Sequence, residues 1–193
     1  MSASVLDRPQ LFNFDLGTTP ALTSDDWYTP REYIEMAREV MQGIDLDPAS
    51  STVAQTTVKA SNYFTLDTNG LNQSWYGRVW LNPPYSMPGI RRFVDKLIDE
   101  YHADRIEQAI ILVNNATDTG WFHDLLTNAR TVCFTKGRIQ FRSPIHAGES
   151  PRQGQAFFYF GQNAAIFSER FRVKGKVIHL ADLHQLNPAP TND

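Results

Sequence analysis

A single cysteine, Cys133, is the whole thiol complement of this 193-residue chain. That excludes an intrachain disulfide and any CxxC metal pair, and it makes a reducing, intracellular setting the expectation. The N-terminus lacks a basic region followed by an apolar stretch, so no secretory leader is expected. No apolar run approaches transmembrane length, and no membrane association is expected. The glycine patterns GxGxxG and GxxxxGK[ST] are both missing, so neither a dinucleotide fingerprint nor a P-loop is present. No internal repeat is evident.

Positive charge is scarce where the chain begins and concentrated later. Residues 1–128 hold 9 Lys and Arg against 17 Asp and Glu, whereas residues 129–176 hold 9 against 2, within a net charge of −3. Such an asymmetry is expected of a face that meets a polyanion. Residues 1–24 read as a poorly ordered arm, 25–186 as a single domain, and 187–193 as a frayed tail.

Local patterns supply the elements. Thr29 reads as an N-cap with Pro30 at the first helical position, and Gly43 as the helix stop. Ile44-Asp45-Leu46-Asp47-Pro48 is a short strand running into a loop. Arg78 to Leu81 is a strand, Ile90 to Tyr101 a helix, and Gln108 to Val113 an apolar strand expected to be buried on both faces. Thr119 to Asn128 is helical. Thr131 to Phe134, Ile139 to Phe141, Gln155 to Phe160, Ala164 to Phe171 and Val177 to Leu180 complete the sheet. Strand–helix alternation followed by mostly strands predicts an α/β fold, mostly parallel with an antiparallel C-terminal edge.

The most legible chemistry is Asn82-Pro83-Pro84-Tyr85, at the carboxyl end of a strand, where open α/β sheets place ligands. Asn82 offers a side-chain carbonyl. Pro83 precedes a proline and is held extended. Pro84 has no N–H, so the pair closes no ordinary turn and leaves the Pro83 carbonyl to an outside donor. Tyr85 adds a flat ring. Two fixed acceptors and a stacking plate suit a planar ring that carries an amino group, such as adenine.

That tetrapeptide resembles the catalytic motif of amino-group methyltransferases. Further segments follow in order: Leu16-Gly17-Thr18-Thr19-Pro20, Trp27-Tyr28-Thr29-Pro30, Leu46-Asp47-Pro48-Ala49-Ser50, Gly70-Leu71, Trp75, Thr117-Asp118-Thr119, Trp121-Phe122-His123 and Lys136-Gly137-Arg138. Together, from about residue 16 to 160, they resemble the phage-type Dam family of DNA adenine-N6 methyltransferases, found in phages and prophages. The resemblance implies a Rossmann-like methyltransferase fold, S-adenosylmethionine as cofactor, and double-stranded DNA as partner. It implies no metal, no obligate protein partner and a bacterial cytoplasm.

Carried onto this chain, the resemblance makes Asn82, Pro83, Pro84 and Tyr85 the catalytic set. Tyr28, Thr29 and Pro30 match its N-terminal cofactor element. Asp47, Pro48, Ala49 and Ser50 occupy the place of a glycine-rich cofactor loop, here without glycines. Asp45 or Asp47 is the candidate for the cofactor ammonium, and Asp67 for the ribose hydroxyls. Thr117, Lys136, Arg138, Arg142 and Arg152 are the candidate DNA contacts. Two other readings stand beside this one: a protein glutamine-N5 methyltransferase, which shares the tetrapeptide, and a catalytically inactive DNA-binding relative that masks sites.

Overall fold

The computed structural model describes residues 27–142 and 153–180. The expected arm at 1–24, the tail at 187–193, the segment Leu16–Pro20 and Arg152 lie outside the described residues. The elements in order are α1 (Arg31–Met41), β1 (Leu46–Asp47), α2 (Thr52–Val58), β2 (Asn62–Tyr63), a 3-10 turn (Gly70–Asn72), β3 (Gly77–Leu81), α3 (Gly89–His102), β4 (Ile106–Asn114), α4 (Gly120–Asn128), β5 (Thr131–Thr135), β6 (Gln155–Phe160), α5 (Ala164–Phe171) and β7 (Gly175–His179). They build one seven-stranded sheet in the order β2-β1-β3-β4-β6-β5-β7.

β2, β1, β3 and β4 run parallel. β6 enters antiparallel between β4 and β5, and β7 closes the far edge antiparallel to β5. The two reversed strands are thus the last two in the chain, as the sequence pattern predicts. The fold is a Rossmann-like mixed sheet.

β4 shows why the sheet is covered on both sides. Its residues alternate between two cores: Ala109, Ile111 and Val113 pack with α3 and α4, while Ile110 and Leu112 pack with α1 and α5. A strand sandwiched this way needs apolar groups on both faces, which its residues 109–113 supply.

Four local readings are corrected. Pro30, at φ −58° and ψ 142°, is itself the N-cap of α1, one residue beyond the expected Thr29. The left-handed stop is Gln42, at φ 62°, ahead of Gly43. Ala164–Phe171 is a helix, not a strand: Phe167 and Phe171, one helical turn apart on the same face, stack at 4.3 Å. Ile139–Phe141 adds no strand to the sheet; the chain there runs into an isolated antiparallel bridge between Arg142 and Tyr28.

The strand order places the functional loops. From β1 the chain moves outward to β2, and from β3 it moves the opposite way to β4. The neighbours β1 and β3 therefore flank the topological switch point, where the loops leaving their carboxyl ends open a crevice. Those loops are Pro48-Ala49-Ser50 and Asn82-Pro83-Pro84-Tyr85.

Candidate active site at the switch point

Asn82 follows β3 directly, and its amide is oriented from both ends. Its Nδ2 donates to the Trp27 carbonyl at 3.0 Å. A carbonyl can only accept, so this bond fixes which side of the amide is oxygen. Its Oδ1 accepts from the Tyr85 hydroxyl at 2.8 Å. An amide oxygen has two lone pairs, so one acceptor direction remains for a ligand. Pro83 is buried and no described residue donates to its carbonyl. Tyr85 is half-buried against the α3–α4 core, and burial raises its phenol above the ordinary value of 10.0. The ring therefore stays a neutral donor and a fixed plate.

The β1 loop presents a different chemistry. Asp47 is 2 % exposed, yet only neutral groups reach its carboxylate. Gln55 Nε2 donates at 2.9 Å, and the Ala49 N–H lies at 3.4 Å. Burial pushes this carboxyl up to about 7, and hydrogen bonds from Ser50, Ala49 and Gln55 offset it only in part. A buried carboxylate without a cation is a costly arrangement, and an ammonium-bearing ligand relieves it.

Glycines are absent from this loop, but one supports it from below. Gly70 packs so tightly that a Cβ there would sit 2.0 Å from the Pro48 carbonyl oxygen. Trp75 Nε1 donates to the Gly70 carbonyl at 2.8 Å, and Asn69, left-handed at φ 48°, caps the turn by accepting from the Leu71 N–H. The matching segments Gly70-Leu71 and Trp75 thus form a brace under Pro48. Gln55 is tied in as well, donating to Ser50 Oγ at 2.8 Å and accepting from the Ala60 N–H at 2.9 Å.

The segment before α1 meets the Asn82 loop through the Trp27 carbonyl. Tyr28 exchanges backbone hydrogen bonds with Arg142 at 2.7 and 3.0 Å, and Trp27 meets Phe141 edge-on at 6.2 Å. Thr29 is 8 % exposed, and its hydroxyl is buried with no hydrogen-bond partner. An unmatched buried hydroxyl costs about 1–3 kcal/mol. Together with the cation-free Asp47 carboxylate, it fits the amino-acid end of the S-adenosylmethionine that the resemblance implies.

A second orphaned acceptor lies at the exit of β4. Asn115 lies four residues beyond Ile111, and Tyr85 four beyond Leu81, the residue paired with Ile111. The Oδ1 of Asn115 is buried and unpartnered, while its N–H donates to the Gly154 carbonyl at 2.9 Å. Thr117 follows, exposed, with its carbonyl 2.9 Å from His123 Nε2.

Lys136, Arg138 and Arg142 are exposed at the same carboxyl edge, after β5, and no carboxylate pairs with them among the described residues. Gln155 braces this segment, accepting from the Ile139 N–H at 3.0 Å. Not all of the basic stretch is free: Arg170 pairs with Glu39 at 3.0 Å, and Lys174 pairs with Glu32.

Two candidates fall elsewhere. Asp45 precedes β1 at the amino edge, opposite the crevice. It is bound bidentately by Arg78, with Nε and Nη2 each at 2.7 Å, and that guanidinium holds its carboxyl below the usual range. It lines a cavity of about 390 Å³ with Gln42, Gln108 and Asn163. Asp45 is therefore removed from the cofactor set by its position and its partner. Asp67 is on the carboxyl side, but in an exposed turn beyond β2.

Gln55, Asn115 and the Trp27 carbonyl were missed by sequence reasoning. Gln55 carries a weak signal, as a lone amide in a hydroxyl-rich helix. A backbone carbonyl carries none. Among the described residues no group of three or more His, Cys, Asp or Glu could hold a metal ion, and no helix is long and apolar enough to cross a membrane.

Residues 17–186 match the family described as DNA N-6-adenine-methyltransferase (Dam). A DNA N-6-adenine-methyltransferase of Escherichia phage T1 is 32 % identical over 148 residues, which is 75 % of this chain and 58 % of the phage protein. The chain thus spans less than two thirds of that relative's length. Two solved structures are more distant. A 23S rRNA methyltransferase, ErmE, is 13 % identical, with TM-score 0.45 over 68 % of both chains. The N-terminal domain of human METTL16 with SAH is 12 % identical, with TM-score 0.35 over 70 % of this chain and 60 % of that one.

Proposed function

The chain belongs to the DNA N-6-adenine-methyltransferase (Dam) family, and on that premise we propose that it transfers the methyl group of S-adenosylmethionine to N6 of an adenine flipped out of double-stranded DNA. The observation that carries the reading is the doubly anchored Asn82 amide beside the Pro83 carbonyl, to which no described residue donates. These are two fixed acceptors at one point of a switch-point crevice. We read residues 25–186 as one methyltransferase domain.

In adenine the N6 lone pair is delocalised into the ring, which makes the amine a poor nucleophile. Asn82 Oδ1 and the Pro83 carbonyl accept its two N–H groups and favour the tetrahedral amine, in which the lone pair is localised. The interaction is stronger in the transition state than in the ground state, so it accelerates the step. Tyr85, tied to Asn82, stacks on the base and holds it at the acceptors.

S-adenosylmethionine supplies the methyl on a sulfonium that leaves as a neutral thioether, so departure needs no acid from the protein. Asp47 would hold the cofactor's ammonium and Thr29 would meet its carboxylate, with Pro48-Ala49-Ser50 as the loop beside it. The methylated nitrogen then loses one proton to water, so that N6 gains a methyl for a hydrogen.

Extrusion of the base costs a few kcal/mol, and one aromatic stack returns about 1–3. DNA contacts must supply the rest. Lys136, Arg138 and Arg142 are exposed cations on the crevice side with no carboxylate partner among the described residues, and Thr117 is on the neighbouring loop. Label transfer from S-adenosylmethionine to unmethylated duplex, in competition with a glutamine-bearing protein, separates this reading from glutamine-N5 methylation. Label on DNA alone supports it; label on protein alone ends it.

A further inference from the structure

We propose that Met87 is the side chain that enters the base stack when the target adenine leaves it, an inference that rests on the DNA reading above. Met87 lies two residues beyond Tyr85 and is 66 % exposed. The other exposed large hydrophobics among the described residues are Val53, Leu66, Tyr76 and Val173. None of them shares a loop with the acceptors. Val53 and Leu66 follow β1 and β2, Tyr76 precedes β3 at the opposite edge, and Val173 precedes β7 at the far end of the sheet.

The loop presents Met87 from a held base. The Ser86 carbonyl accepts from the Ile90 N–H at 3.1 Å, and the Pro88 carbonyl from the Arg92 N–H at 3.2 Å. Both neighbours of Met87 are thereby tied to the first turn of α3, and Met87 is the tip between them. Two residues of chain span at most about 7 Å, so the backbone of Met87 lies within that distance of the residue that stacks on the base in the reading above.

The chemistry suits the position. An extruded nucleotide leaves a gap walled by two apolar base faces. An unbranched, polarisable thioether fills irregular gaps and packs well against aromatic surfaces, and methionine is among the side chains that wedge between base steps.

Arg92 adds a cation beside the wedge. It is exposed and has no carboxylate partner among the described residues, whereas its neighbour Arg91 is neutralised by Asp95 at 2.9 Å and Asp124 at 2.7 Å. A cation in the first turn of a helix opposes the helix dipole, and a DNA phosphate beside it reverses that penalty.

The test compares Met87→Ala and Met87→Leu with the wild-type protein on two substrates. One is a duplex carrying a sequence the protein methylates. The other is the same strand with the target adenine opposite an abasic site, where extrusion is already eased. Met87→Ala is expected to lose about tenfold in kcat/KM on the paired duplex and less than about twofold opposite the abasic site. Met87→Leu stays near wild type on both, which separates loss of the wedge from loss of fold. Equal loss on the two substrates, or wild-type rates for Met87→Ala on the paired duplex, overturns the proposal. No transfer by the wild-type protein to either substrate overturns the DNA reading itself.

Discussion

Replacing Asp47 by asparagine separates its cost to the empty protein from its value to the cofactor. The carboxyl is raised from its ordinary 3.8 to about 7 by burial. A folded carboxyl with a raised value favours folding most below the unfolded value. That advantage is lost as pH rises from 3.8 towards 7, and above 7 the penalty is complete. Its size is about 4 kcal/mol at most, at about 1.4 kcal/mol per pH unit. Asp47→Asn removes this dependence, so the cofactor-free variant gains on the wild type between pH 4 and 7 and holds the gain above. Cofactor affinity moves the other way. Loss of a buried partner to an ammonium weakens binding on the order of 10²–10³-fold. Because the wild-type carboxyl is about half protonated at pH 7, binding the ammonium expels about half a proton there. It expels nearly one at pH 6 and almost none at pH 8.5. Calorimetry in buffers of different ionisation enthalpy reads that number directly. Tight binding at pH 7 with no Asp47-dependent proton release refutes the assignment.

Other outcomes follow from the same geometry. Asp45→Ala is expected to cost about 1–3 kcal/mol of stability and to leave cofactor affinity unchanged, as titration calorimetry checks. Since Arg78 holds the Asp45 carboxyl low, its contribution is present above the ordinary carboxylate range and fades as pH falls through the folded value. Gly70→Ala forces a Cβ into the Pro48 carbonyl; a loss of about 1–3 kcal/mol or more, with weakened cofactor binding, is the expected result in melting and binding assays. Lys136→Ala and Arg138→Ala should each lower the slope of log K for DNA against log salt by about 1, without changing which sequence is methylated.

What the sequence revealed, and what it hid, follows the range of each interaction. β4 was legible because burial on both faces demands an unbroken apolar run. The Asn82–Tyr85 loop was legible because two consecutive prolines fix its backbone whatever surrounds them. Ala164–Phe171 was misread because its apolar residues suit either period over so short a span; packing of Phe167 and Phe171 against α1 decided for helix. Asp45 and Asp47 look equivalent in the chain. They separate only when Arg78, 33 positions away, claims one and the core buries the other. Gly70 was visible as a matching residue, but its closeness to Pro48 depends on how the turn folds back beneath β1. The Trp27 carbonyl that orients Asn82 is 55 positions distant and has no side-chain signature at all.

On the proposed reading, two acceptors after β3 direct a methyl group to adenine N6 in DNA. The measurement closest to it is mass spectrometry of nucleosides from duplex DNA incubated with S-adenosylmethionine and either wild-type protein or Asn82→Ala. N6-methyladenine is expected with the wild type, and a rate lower by about 10²–10³-fold with the variant, its thermal midpoint unchanged. N6-methyladenine formed at equal rates by the two proteins, or none with the wild type, contradicts it.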